Sequence, residues 1–234
     1  MKLWPCALLL LVGCQMTSAG SDAKSSVLSS TEQQAMSPGQ VLERLEAGNQ
    51  RFQKSDRTAF DYVAQARASA TGQSPMAYVL SCVDSRVLPE TIFDCGIGDL
   101  FVGRVAGNFE NTDQLGSMEF ATAAVGTPLI VVLGHSSCGA VKGACDQVKL
   151  ADNLTALLQN IAPAVQKSRV SGERSSKNPA FVAAVVENNV LGTIADIKKR
   201  SATIRERIAA GKLAIAGGIY DLETGAVKWI STPN

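Results

Sequence analysis

The chain has 234 residues, 46% hydrophobic and 18% charged, with a formal net charge of +1. That length and composition bound one globular domain after processing. The near-zero charge and 5% aromatic content exclude the basic, aromatic-interleaved footprint of a nucleic-acid binder. No internal repeat is visible, and past residue 20 no unbroken apolar run is long enough to span a bilayer.

Met1-Lys2 followed by the apolar stretch from Leu3 to Val12 is a short positive start and a core too short for a transmembrane helix. It reads as an export signal over residues 1–19. Leu11-Val12-Gly13-Cys14 resembles a bacterial lipobox, which implies cleavage before Cys14 and lipidation of its thiol. Thr17-Ser18-Ala19 offers the plainer alternative of cleavage after Ala19. The cysteine at the end of the apolar core favours the lipoprotein. The expected product is exported and periplasmic, touching a membrane only through the lipid at Cys14. Residues 20–36, rich in Ser, read as a flexible tether, and residues 37–234 as the folded domain.

Ser37-Pro38-Gly39-Gln40 is a capping box with Pro at the first helical position, and Val41, Leu42, Leu45 and Phe52 keep helical spacing. An amphipathic helix over Pro38 to Lys54 follows. Gln73-Ser74-Pro75 leads into Ala77 to Val83, a strand-length apolar run of the kind buried on both faces of a parallel sheet. It runs directly into Asp84-Ser85-Arg86. Val87 to Phe93 reads as a short helix, and Leu100-Phe101-Val102 as the next strand. Gly96 and Gly98 do not form a dinucleotide fingerprint, because the third glycine falls at Gly103. Asp113 to Val125 reads as a helix closed by Gly126.

Pro128 to Leu133 is a second buried parallel strand, followed by Gly134 and by His135, the only histidine in the chain. Cys138 comes next, and Gly139 to Ala144 opens a helix. Asp152 to Lys167 reads as a helix kinked or broken by Pro163, and Ser168 to Asn178 as a polar connection. Pro179 to Arg200 and Ser201 to Ala210 are expected helices. Lys212 to Ile219 and Ala226 to Ile230 are strands joined through Asp221 to Gly225. The class is α/β: a central, mostly parallel sheet flanked by helices.

Cys82, His135 and Cys138 all arrive at strand ends, where open α/β sheets place ligands. Together they make a Cys₂His set with one open position, the composition of a catalytic zinc. Alone, H-x-x-C more often marks a hydrogen-bonded histidine and a small buried thiol. Asp84 and Arg86 are close enough to form a bidentate pair that keeps the carboxylate ionised; the plain alternative is a loop ion pair worth little. Asp84 also lies two residues from a metal ligand, so its carboxylate could itself close the site. Cys95 and Cys145 could bridge in an exported protein, but a chain this long needs no disulfide scaffold, and they read as buried free thiols.

The combination C-x-D-S-R and H-x-x-C, with Gly98 to Val102, Arg104-Val105-Ala106-Gly107-Asn108 and Tyr220 to Gly225, resembles a β-class carbonic anhydrase over residues 40–230. The resemblance implies zinc-dependent, reversible hydration of CO2 to bicarbonate by attack of zinc-bound hydroxide. It implies that Asp84, held by Arg86, serves the catalytic water, and that a form closed by Asp84 on the zinc occurs. It places the Gln73 amide on the substrate and makes Phe101, Val105 and Phe120 an apolar wall. Phe120 stands where the family commonly has tyrosine, and so lacks a hydroxyl. It also implies a homodimer or homotetramer whose N-terminal helices lie against a partner subunit, although the helical spacing fits a contact within one chain equally well. Hydrolysis of carbonyl sulfide or carbon disulfide on the same site, and a silent zinc-stabilised binding protein, are the competing readings.

Overall fold

A computed structural model describes residues 23–233. The expected export signal over residues 1–19, with Cys14, lies outside the described residues.

The first elements among the described residues are α1 (Ser30–Ala35), α2 (Pro38–Gln53) and α3 (Tyr62–Ala68). β1 (Ala77–Ser81), α4 (Pro89–Ile92), β2 (Leu100–Arg104), α5 (Thr112–Glu119) and β3 (Leu129–His135) follow. The remainder is α6 (Gly139–Cys145), α7 (Asp152–Gln159), α8 (Ala162–Lys167), α9 (Pro179–Arg200), α10 (Ala202–Ala209), β4 (Ala214–Tyr220) and β5 (Val227–Ser231). The sheet order is β2-β1-β3-β4-β5, parallel except for the last pair. β1 and β3 are buried along their whole length. Their unbroken β-branched and aliphatic runs are what a strand covered on both faces requires.

Alternation along these strands divides the core in two. Ala77, Val79, Leu129, Val131 and Leu133 pack with Val41, Leu42 and Leu45 of α2. Tyr78, Leu80, Ile130 and Val132 pack with Val190, Ile194 and Ile197 of α9 and Ile204 of α10. Burying each Val or Leu of α2 contributes roughly 1.5–3 kcal/mol. Val41, Leu42 and Leu45 of the expected apolar stripe of α2 are thus buried on the protomer's own sheet. α9 approaches β3 closely: a Cβ at Gly134 would lie 2.7 Å from Val190 Cγ2. By length and composition alone α9 could cross a bilayer. Phe181, Val185, Val190 and Ile197, all in the core, account for its hydrophobicity instead.

The expected tether is ordered from residue 23. Ser29 and Glu32 form a capping box for α1, Lys24 bridges to Phe60, and Leu28 and Met36 pack on the α2 side of the core. Buried Gln33 donates to Pro75 O at 2.8 Å, and buried Gln65 donates to Ser26 O at 3.1 Å. The Ser-rich composition suggested a free segment, but two amides reaching distant carbonyls hold it. The helix read over Asp113 to Val125 is α5 followed by a π-helical turn at Phe120–Ala124, with Val125 N donating to Phe120 O at 3.2 Å. The break in 152–167 falls at residues 160–161, so Pro163 stands in the first turn of α8, where a missing N–H costs nothing.

Candidate metal centre

The site lies at the C-terminal ends of the two central strands. β1 stops at Ser81 and the next residue is Cys82; β3 stops at His135. Ser137 then takes a left-handed backbone (φ 55°), which turns the chain so that Cys138 can cap α6. Ser136 pins this turn to the end of the sheet: its N–H donates to Tyr220 O at 2.9 Å, and its hydroxyl accepts from Leu222 N at 2.9 Å.

The ligand atoms of Cys82, His135 and Cys138 lie within 4.8 Å of one another, and all three residues are buried. The two sulfurs are 3.9 Å apart. His135 Nδ1 lies 2.9 Å from Ser136 O. A carbonyl only accepts, so Nδ1 carries the proton and Nε2 presents its lone pair. That Nε2 is buried with no hydrogen-bond partner among the described residues. Leaving such an atom unpaired is costly, unless a metal takes the lone pair.

The thiols point the same way. Cys82 is pushed down to about 4, first by the hydrogen bond from Cys138 and also by the Gly107 N–H, against the opposing effect of burial. Cys138 is pushed up, because its neighbour already carries the charge and the site is buried. Alone, the pair shares one proton; two thiolates at this separation need a cation between them. The donor set fits zinc, which accepts thiolate and imidazole in tetrahedral sites and keeps an open position for chemistry.

Asp84 stands at the edge of this set, with Oδ2 3.9 Å from His135 Nε2. Arg86 holds it in a fork, Nε to Oδ1 at 2.9 Å and Nη2 to Oδ2 at 2.7 Å, with its own N–H donating to Oδ1 at 3.0 Å. These bonds hold the carboxyl well below the usual carboxylate range. Arg104 braces the loop from behind, donating to Cys82 O at 2.9 Å and to Asp84 O at 2.7 Å. Sequence reasoning quoted Arg104 within a motif but assigned it no role. Its position at the end of β2, level with Ser81, was the signal.

Of the other expected site residues, the fold brings one to the metal centre. Val105 donates its N–H to Ser81 O and packs against the cluster that holds Cys82 and Cys138. Phe101 is in register with Tyr78, four positions before Cys82, or about 13 Å along the strand. Phe120 meets Phe101 edge-on at 6.1 Å between centroids, yet is 55% exposed. Gln73 is exposed in the loop before β1, at the opposite end of that strand from Cys82. Within one chain these three do not reach the ligand set. Cys95 and Cys145 are free, buried, and packed in different clusters, so no bridge joins them.

Two buried cysteines and a histidine that could hold a metal ion, set at the strand ends of a mostly parallel sheet, are a site of the kind α/β enzymes build. The sequence pattern of the family described as carbonic anhydrase matches residues 77–227. The chain is 38% identical over 189 residues to carbonic anhydrase 2 of Mycobacterium tuberculosis, covering 80% of this chain and 90% of that protein. It is 37% identical over 194 residues to a carbonic anhydrase of Mycolicibacterium smegmatis, covering 82% and 92%. The solved β-carbonic anhydrase CcaA superposes with a TM-score of 0.62 at 27% identity, covering 83% of this chain and 93% of that one. A tetrameric β-carbonic anhydrase from Sordaria macrospora gives a TM-score of 0.63 at 24% identity, with coverage of 83% and 95%. The chain belongs to the β-class carbonic anhydrase family, and it is an enzyme of that family.

Proposed function

We propose that this enzyme binds one zinc per chain through Cys82, His135 and Cys138 and uses it to hydrate CO2 reversibly to bicarbonate. The observation that carries the reading is the buried, unpartnered His135 Nε2 facing two thiols, with Asp84 held beside it by Arg86. Bound zinc would supply Lewis acidity that brings the pKa of water towards ~7.

The chain's own residues do the rest. The ionised Asp84 offers Oδ2 as the hydrogen-bond acceptor nearest the ligand set, where it orients a water O–H. Arg86 keeps that carboxylate charged and turned away from the metal. The only histidine is a ligand, so no histidine relay exists within the subunit, and the proton leaves to solvent or buffer. A silent, zinc-stabilised protein would have no use for the Asp84–Arg86 fork.

Gln73, Phe101 and Phe120 serve the reaction as residues presented to the site of a second copy, in a homodimer or homotetramer. The exposure of Phe120, Val83 and Leu88 supports this. Export to the periplasm, with lipid on Cys14, rests on the Leu11 to Cys14 pattern. Mass spectrometry of the native N-terminus tests it; a mature chain beginning at Gly20 would replace it with ordinary signal cleavage. Stopped-flow CO2 hydration with metal analysis tests the activity, and a zinc-loaded protein without hydration would end the catalytic reading.

A further inference from the structure

α9 buries Phe181, Val182, Val185, Val186 and Val190 against the sheet and the helices α6 to α8, and among them stands one amide, Asn189, only 4% exposed. A buried polar side chain in an apolar face needs a partner. Asn189 finds it across 82 residues of sequence: its Nδ2 donates to Gly107 O at 2.7 Å. Gly107 in turn donates its N–H to Cys82 Sγ at 3.4 Å. The turn that allows this is left-handed at both Gly107 (φ 86°) and Asn108 (φ 43°). It is also tight, since a Cβ on Gly107 would fall 2.5 Å from Ile161 Cδ1. The two hydrogen bonds lie on the peptide units either side of the Gly107 Cα. Asn189 therefore sets where the N–H points rather than polarising it directly.

We propose that Asn189 is a positioning residue for the metal centre: it holds the Gly107 turn so that the Gly107 N–H donates to Cys82 Sγ, and so tunes that sulfur as a ligand. The inference rests on the zinc reading above. A hydrogen bond to a thiolate lowers the energy of its lone pairs, and outer partners of this kind orient ligands and tune metals.

Cobalt(II) replaces zinc in the test, because its thiolate-to-metal charge-transfer band reports the sulfur directly. In Asn189→Leu, of similar volume but without a donor, the band should move to longer wavelength. Zinc affinity, measured by competition with a chromophoric chelator, should fall roughly tenfold, the lower end for an outer-sphere partner. Asn189→Ser leaves room for a bridging water and should show a smaller shift in the same direction, which keeps the test alive if the leucine variant misfolds. Asn188→Leu is the control: its amide reaches Ala164 O on α8 and not the turn, so band and affinity should match the parent. A parent band unchanged in Asn189→Leu or Asn189→Ser overturns the role of Asn189 alone. An equal shift in Asn188→Leu also overturns it, by showing that general docking of α9 is responsible. A parent with no charge-transfer band overturns the zinc reading, and this inference with it.

Discussion

The ends of β1 and β3 and the outer strand β2 lie next to each other in the sheet and differ in how finished they are. At the first, three ligand residues are buried, the histidine tautomer is set by Ser136, and the loop after Cys82 is braced by Arg104 and Arg86. At the second, half-buried Phe101 and exposed Phe120 meet edge-on beside a cavity of about 760 Å³. A ligand set must be preorganised to a fraction of an ångström, so one chain supplies it whole. An apolar wall needs only area, and area can come from another surface.

Breaking the finished region should have the largest effect. His135→Ala should lose most of the zinc and essentially all hydration activity, leaving two thiolates without a third ligand; full zinc occupancy in that variant would remove His135 from the set. Arg86→Ala should come next. The freed Asp84 carboxylate has zinc as its remaining partner, so the metal stays while activity falls roughly 10²-fold or more. A structure showing Asp84 on the metal supports this, and a near-normal rate with Asp84 unmoved would deny the fork its role.

The unfinished region should respond to concentration more than to chemistry. If a second copy supplies Phe120, Phe120→Asp should shift sedimentation towards monomer and lower activity while zinc content stays at one per chain. An active parent monomer at low concentration would show that one chain suffices.

The smallest effect concerns alkaline stability. Burial raises the Tyr78 phenol from its ordinary 10 to about 12. The fold thus favours the neutral form, so this contribution is fully present below pH 10 and is lost as pH rises through 12. Tyr78→Phe should flatten that part of the thermal midpoint against pH, at a cost of about 1 kcal/mol at neutral pH for the lost bond to Gln114. An unchanged slope would mean that Tyr78 does not titrate with unfolding.

Much of this was legible along the chain. α2 and α9 start where their capping residues and prolines stand, Ser37-Pro38 and Asn178-Pro179. β1 and β3 were visible as apolar runs, and the ligands as the residues that end them. α1 and α3 were not read, because both are short and owe their placement to Gln33 and Gln65 reaching carbonyls about forty residues away. The π turn at Phe120 was hidden for a similar reason: α-helix and π-turn share the same apolar spacing over so few residues.

What the residue order determines by itself is local: strand, turn, cap, and the chemical types of Cys82, Asp84, Arg86, His135 and Cys138. Short-range propensity and covalent spacing suffice for those. That the two thiols come within 3.9 Å, that His135 Nε2 is left bare, and that Arg104 and Asn189 grip the loops behind Cys82 were decided only by the packing of the sheet. The same packing leaves Gln73 and Phe101 away from the cluster of Cys82, His135 and Cys138. Such contacts join residues tens of positions apart, and no periodicity in the chain records them.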